Sequence, residues 1–386
     1  MILKLLPILG ITFIDILGFS ILLPLMPYFV KHFGAPDIVV GGLFATFAFC
    51  QFVGGPFWGN VSDRIGRKAV LIVSQIGATI GWTMLAFAPN IGIVFLARII
   101  EGFSGGNISV TQAYVSDLVE PAQRGRAFAY IGAAFSSGLV FGPLAGGYLV
   151  AKYGFSMPFL LAAGLQLITL IVTIFVLPES RKAVDGEKAA TFADIKVSLL
   201  DRRVAPILWQ KLVFSLGLYG WFSVFTLVLA AQFGFDAASA SYFFTVFGLA
   251  SVIFQVGAVG RITDALGDRV ASNIGFVALL VGFVIVPFAH TLLLAVLMVV
   301  CFSFGLALVN ASIPALLSDN SPDNMRGTVL GTASSLDSVS GMIMPVISTY
   351  VLQAAGVTPT VAITFGLTSV ALAMGLAALR TAPKPA

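Results

Sequence analysis

Runs of about twenty apolar residues, the length a helix needs to cross a bilayer, recur along the whole chain between short polar connections. The pattern predicts spans at 6–30, 39–58, 70–88, 91–114, 127–150 and 156–177, then at 206–232, 239–259, 271–288, 291–315, 328–350 and 358–379. One connection, 178–205, is longer and holds much of the charge, and it divides the twelve spans six and six. The expected organisation is an all-α membrane protein with an N-terminal six-helix bundle over 1–177, a cytoplasmic linker over 178–205 and a C-terminal six-helix bundle over 206–386. The first span carries Asp15, Pro24 and Pro27, lacks an A-x-A-like cleavage site and is followed at once by further spans. It is read as a retained helix, not a signal peptide.

Lys and Arg in the connections set the orientation. With the N-terminus inside, the inside segments hold seventeen basic residues and the outside segments only Lys31 and Lys152. Both termini are therefore expected in the cytoplasm. Arg98 and Lys211 fall within spans, and His32 and His290 fall in outer connections.

Composition closes off other classes. The chain is 58% hydrophobic and 10% charged, against roughly 45–50% and about 25% for a soluble domain. A mean hydropathy of +1.01 leaves too little polar surface to cover soluble domains. The net charge of +4 does not point to nucleic acid, because the basic residues are scattered between apolar runs. Cys50 and Cys301 both sit in apolar segments and form no disulfide framework or metal-ligand spacing. No G-x-x-x-x-G-K-[ST] phosphate loop is present, and no nucleophile elbow or haem-attachment motif appears, so neither ATP-driven transport nor an enzyme is expected.

The two halves repeat. Ser116-Asp117 followed by Arg124-Gly125 returns as Ser318-Asp319 followed by Arg326-Gly327 at an offset of 202. Gly59-x-x-x-Asp63 returns as Gly260-x-x-x-Asp264 at an offset of 201, and Pro143 returns as Pro345 at 202. A duplicated six-helix unit explains this agreement. Parallel repeats of this kind predict a two-bundle transporter with a central site.

Residues 59–71 read GNVSDRIGRKAVL. Here the chain resembles the major facilitator superfamily, whose signature after span two is G-x-x-x-D-R-x-G-R-K. Gly59, Asp63, Arg64, Gly66, Arg67 and Lys68 match it. Glycines permit a tight turn between two helices, and a carboxylate suits a helix N-terminus. In the family this cluster joins an acidic residue at the end of span four, matched by Asp117, and the resemblance implies a latch between conformations.

Residues 95–106, FLARIIEGFSGG, resemble the family's span-four motif R-x-x-x-G through Arg98 and Gly102. Relatives often carry Gln before that glycine, so Glu101 is a departure that adds a titratable group three residues from Arg98. The stretch GLVFGPLAGG resembles the span-five antiporter motif through Gly138, Gly142, Pro143, Gly146 and Gly147. Its glycines are expected to form a smooth packing face meeting span eight, and Pro143 to bend the helix. Span one, FIDILGFSILLPLMP, Gln51 in span two and PES after span six are similar to the twelve-helix drug–proton antiporters, tetracycline exporters among them. Those exporters carry further carboxylates in spans three and nine. The aligned stretches here hold Gly81 and apolar residues, so tetracycline itself is not the expected substrate.

Ionisable groups inside a span are costly and mark function by default. Burial favours the neutral form of a carboxyl group, which suits reversible protonation. Asp15, Glu101 and Asp337, with Arg98 beside Glu101, form the candidate proton-coupling set. Gln51, Asn107, Gln112, Tyr219 and Asn310 are candidate substrate-cavity positions, and Gln210, Lys211 and Trp221 share span seven with Tyr219.

The expected function is proton-coupled export of a small amphipathic compound of the drug or antibiotic type, by alternating access. The alternative is proton-coupled export of a specific metabolite such as a sugar, an amino acid or a lipid-like molecule. The expected partners are the substrate, protons and lipid, with no cofactor, metal or nucleic acid. The chain is read as a monomer in a bacterial inner membrane.

Overall fold

The computed structural model describes residues 2–105, 108–119, 123–180, 198–201, 203–322 and 325–381. Among these residues every regular element is helical. Residues 1–189 together with 235–245 pack as one unit, and 190–234 together with 246–386 as another.

In the first unit the helices are α1 (Ile2–His32), α2 (Ile38–Ile65), α3 (Arg67–Ala86), α4 (Ile91–Ser104), α5 (Ile108–Leu118), α6 (Arg124–Tyr153) and α7 (Ser156–Phe175). The second unit holds α8 (Ala205–Phe233), most of the span made by α9 (Ala237–Phe254), a π-helical turn (Gln255–Val259) and α10 (Gly260–Leu266), then α11 (Asp268–Ile285), α12 (Leu292–Asn320), α13 (Arg326–Ala355) and α14 (Val357–Thr381). Eleven helices among the described residues are long and apolar enough to cross a membrane. The expected twelfth, span four, is present as α4 and α5 on either side of 106–107, which lie outside the described residues.

The repeat expected from sequence extends to backbone and packing. In the first unit α1 packs on α6 and α3 on α7, and in the second α8 packs on α13 and α11 on α14. Gly66 (φ +98°) is matched by Gly267 (φ +77°), and Gly154 (φ +80°) by Gly356 (φ +85°). Positive φ strains any residue with a β-carbon, so these four turns require glycine. The π turn in span eight breaks the correspondence, since α2 is α-helical throughout.

Aromatic rings tie helices together within each unit. Phe29 of α1 meets Phe159 of α7 at 5.0 Å between ring centroids, and Trp82 of α3 stacks on Phe159 at 6.3 Å. In the second unit Trp221, Phe283 and Phe302 join α8, α11 and α12, with centroids 4.8–5.4 Å apart. Such pairs add about 0.5–1.5 kcal/mol each beyond area burial.

Several helices outrun their predicted spans. Hydropathy registers only the stretch matched to the hydrocarbon, while the backbone stays hydrogen-bonded beyond it. His32 is the last residue of α1, not a loop residue. More importantly, α2 continues to Ile65 and α3 begins at Arg67, so the expected loop between spans two and three is a turn at Gly66. Gly59, Asp63 and Arg64 are helical.

Candidate functional site

The signature after span two builds a cluster around Arg67, which is only 6% exposed. Its guanidinium donates to Ser62 Oγ at 2.5 Å, pairs with Asp63 Oδ1 at 2.7 Å and faces Asp117 Oδ2 at 3.5 Å. Asp63 and Arg67 are one helical turn apart in number, and the Gly66 turn keeps them adjacent. Asp117 arrives from α5, and Ser180 Oγ donates to it at 3.3 Å. Arg64 is exposed. Gly59 has open space where a β-carbon would stand.

The carboxylate at the α3 N-terminus is not Asp63 but Glu179, from the PES segment. Glu179 accepts from Arg67 N at 2.8 Å and Lys68 N at 3.1 Å. This satisfies two orphan amides and favours the positive helix end. A β-carbon on Gly66 would come within 2.5 Å of Glu179 Oε2. Lys68 Nζ in turn donates to Ile174 O at the end of α7, at 2.8 Å. Tyr114 OH donates to Pro178 O at 2.8 Å. The segment after span six is thereby fastened to the α2–α3 turn and to α5. No local sequence signal marks Glu179 as part of this cluster, because its partners are backbone amides more than a hundred residues away.

Span four carries an ion pair. Arg98 and Glu101, three apart on α4, pair directly, and they are 1% and 4% exposed. The guanidinium lies 5.1 Å from the Phe47 ring centre and 5.7 Å from that of Trp82. The Glu101 side chain packs into space left by Gly81 of α3. Gly102 brings α4 against α2, since a β-carbon there would come within 2.5 Å of Phe47 O. Desolvating two charges costs several kcal/mol each, and only direct pairing offsets it. A proton on Glu101 would leave Arg98 as an uncompensated charge among aromatic rings.

Asp15 is half-buried on α1, within the stretch against which the α6 glycines pack. A β-carbon on Gly138 would sit 2.8 Å from Phe13 O and 2.9 Å from Leu17 N, and one on Gly142 would run into Ser20 Oγ. Gly146 approaches Ile21 and Leu25. Ser20 Oγ closes the contact with a hydrogen bond to Gly138 O at 2.8 Å. The glycine face therefore meets span one, not span eight as expected. Residues 138, 142 and 146 recur every four and share one stripe. Only Gly147, a step round the helix, meets α9 at Ala238 and Ser241. Pro143 lies inside the unbroken helix α6.

In the second unit Asp337 of α13 pairs with Lys211 Nζ of α8 at 2.8 Å and accepts from Ser215 Oγ at 2.5 Å. Sequence placed both ionisable groups within spans without pairing them, because their separation of 126 positions carries no register. Tyr219 follows Ser215 by one turn of α8 and is 37% exposed. Of the other cavity candidates, Gln51 donates to Gly105 O at 3.3 Å and so braces α2 on α4. Asn310 is exposed on α12. Asn107 and the Gln112 side chain lie outside the described residues.

Comparison with known proteins agrees with this architecture. A sequence profile of the Major Facilitator Superfamily matches residues 8–230 and again 212–386. The class B tetracycline resistance protein of Escherichia coli is 28% identical over 346 residues, covering 87% of this chain and 85% of that one. Multidrug resistance protein 2 of Bacillus subtilis (strain 168) is 29% identical over 344 residues, covering 86% and 84%. Among solved structures, the human organic anion transporter MFSD10 (TETRAN) aligns with a TM-score of 0.74 at 22% identity, covering 96% of this chain and 98% of that one.

Proposed function

This chain belongs to the Major Facilitator Superfamily, and on that premise we propose that it exports a small amphipathic compound in exchange for protons, by alternating access. The observation that carries the reading is the Arg98–Glu101 pair, sealed within span four. A buried pair is weak evidence for stability, so its presence in a span favours a working role. In this reading Asp15, Glu101 and Asp337 take up protons, and Arg98 holds Glu101 ionised until movement separates them. A proton biases one orientation and substrate the other, so each acts on the same two-state equilibrium. Asp63, Arg67 and Asp117, reinforced by Glu179, latch one state. The glycine face of α6 sets its close approach to α1. The basic residues of the connections support a cytoplasmic location for both termini, and in this reading one chain suffices as the transporting unit.

Relatives named for tetracycline and multidrug resistance support an amphipathic substrate. Gly81, packed against Glu101 in span three, supports a substrate other than tetracycline. The test uses proteoliposomes with an imposed proton gradient, a pH dye and a panel of lipophilic cations, antibiotics and neutral amphiphiles. Substrate-dependent proton movement that falls at least tenfold in Asp15→Asn and in Glu101→Gln is expected. Unchanged proton-driven transport in both variants would overturn the assignment.

A further inference from the structure

In the orientation proposed above, the outer connections hold only Lys31 and Lys152 as basic residues, and the two differ in their surroundings. Lys31, at the end of α1, pairs with Asp37 at 3.5 Å. Lys152, near the end of α6, is exposed, and among the described residues no carboxylate pairs with it. Its ammonium instead lies 5.8 Å from the Tyr148 ring centre and 5.2 Å from that of Tyr153. Contact with aromatic faces positions the charge without neutralising it.

Inward from this charge, an open apolar groove of about 550 Å³ runs along the first unit. Its walls include Phe13 and Leu17 of α1, Phe141, Leu144 and Tyr148 of α6, and Tyr242 of α9. Tyr242 belongs to the stretch of α9 that packs with this unit, and its ring is seated where Gly147 lacks a side chain. The volume is that of a small-molecule site, yet no charged side chain lines it. Phe141, Leu144, Tyr148 and Lys152 stand at i, i+3, i+7 and i+11 on α6, so groove and lysine share one helix face. From Phe141 to Lys152 the rise is about 16 Å at 1.5 Å per residue, half of a hydrocarbon core of about 30 Å. The stripe therefore measures one leaflet: apolar at the bilayer middle, phenolic toward the interface and cationic at its end. Asp236, just before α9, is engaged by the Ser239 amide at 2.8 Å.

We propose that this groove binds an anionic phospholipid of the outer leaflet, with one acyl chain along Phe13, Phe141 and Leu144 and the phosphate on Lys152 Nζ. An acyl chain that enters the groove leaves hydrocarbon for hydrocarbon, so apolar transfer alone does not hold it there. Two things set the groove apart from the lipid around it: a concave, ring-lined wall and an open ammonium at one end. The wall fixes the chain, and the ammonium attracts the headgroup by its negative charge. A zwitterionic headgroup brings an ammonium of its own and offers no net charge, so it gains less. The choice of leaflet rests on the proposed orientation; the groove and its lysine do not.

The experiment is native mass spectrometry of the purified full-length protein, given an equimolar mixture of phosphatidylglycerol and phosphatidylethanolamine with identical acyl chains. Wild type is expected to retain one lipid with about fivefold preference for phosphatidylglycerol, the factor expected of one basic residue at an anionic lipid. Lys152→Ala, an exposed substitution, is expected to lose the preference, whereas Lys31→Ala, whose lysine is already paired, keeps it. Ala145→Phe, which fills the groove, is expected to weaken retention of both lipids by about tenfold or more, in protein that stays monodisperse by size exclusion. An unchanged preference in Lys152→Ala overturns the headgroup assignment. Equal retention by Ala145→Phe, or no lipid on wild type, overturns the site. A dimer that forms only without lipid, and that Ala145→Phe abolishes, gives the groove to a second copy of the chain and overturns it as well. Leaflet is read separately, from Lys152→Cys and a membrane-impermeant maleimide applied to intact cells. Labelling from outside is expected; protection there, with labelling after lysis, overturns the outer-leaflet assignment and the proposed orientation together.

Discussion

Gly81 of α3 faces Glu101 of α4 so closely that a β-carbon on Gly81 would overlap Glu101 Cγ and lie 3.1 Å from its carboxyl carbon. The missing side chain is what lets Glu101 reach Arg98. Gly81→Ala is therefore expected to push Glu101 off its partner. Alanine gains up to about 1 kcal/mol of helix propensity over glycine, but overpacking costs about 1–3 kcal/mol and an uncompensated buried charge about 3–5 kcal/mol. A thermal melt in detergent should show a lower midpoint, with transport reduced at least tenfold. A variant as stable and active as wild type would mean that Glu101 has another place to go.

The ion pair itself calls for a double-mutant cycle. Glu101→Gln and Arg98→Gln each strand a buried charge and should lower the melting midpoint clearly, in line with about 3–5 kcal/mol for breaking such a pair. The double variant should recover most of that loss without recovering proton-coupled transport, because the strongest coupling is between contacting residues. Additive losses in the melts would show that the two side chains act independently.

At the α2–α3 turn, Glu179→Ala removes the acceptor for two backbone amides. Removing a helix N-terminal acceptor of this kind costs about 0.5–2 kcal/mol. Gly66→Ala should do more damage, since it adds left-handed strain at φ +98° to a clash with Glu179. If the cluster latches one conformation, both variants will also change the labelling rate of single cysteines placed on the two faces of the membrane. Unchanged rates with reduced stability would make the cluster purely structural.

The α6 glycines separate packing from conformational freedom. Gly142→Val should disrupt α1 at Leu17 and Ser20 and abolish transport. Gly132→Val, with open space around it, serves as the control and should leave folded yield and transport near wild type. Equal tolerance of both would remove the close α1–α6 contact from the account.

Much of the architecture was legible before any coordinates, because the bilayer imposes a one-dimensional rule. A spanning segment must bury its own backbone polar groups in a helix and present apolar side chains over a fixed length. Span number, the Arg98–Glu101 adjacency and the repeat all follow from residues near one another in sequence or at one constant offset. Helix ends did not follow, since a helix continues past the hydrocarbon without a hydropathy signal. That is why the loop expected at 59–69 proved to be a turn at Gly66.

Tertiary structure alone decided which helices meet. Four glycines on α6 announce a close contact, but glycine has no side chain to specify the partner: Gly138, Gly142 and Gly146 meet α1, and only Gly147 meets the expected span eight. Lys211 and Asp337 each required compensation inside a span, yet their pairing depends on α8 packing against α13. Glu179 reaches the α3 amides across more than a hundred residues. Local pattern determines which groups need partners. Only the folded chain, which brings polar atoms of distant segments to within about 3 Å of one another, determines which partners they receive.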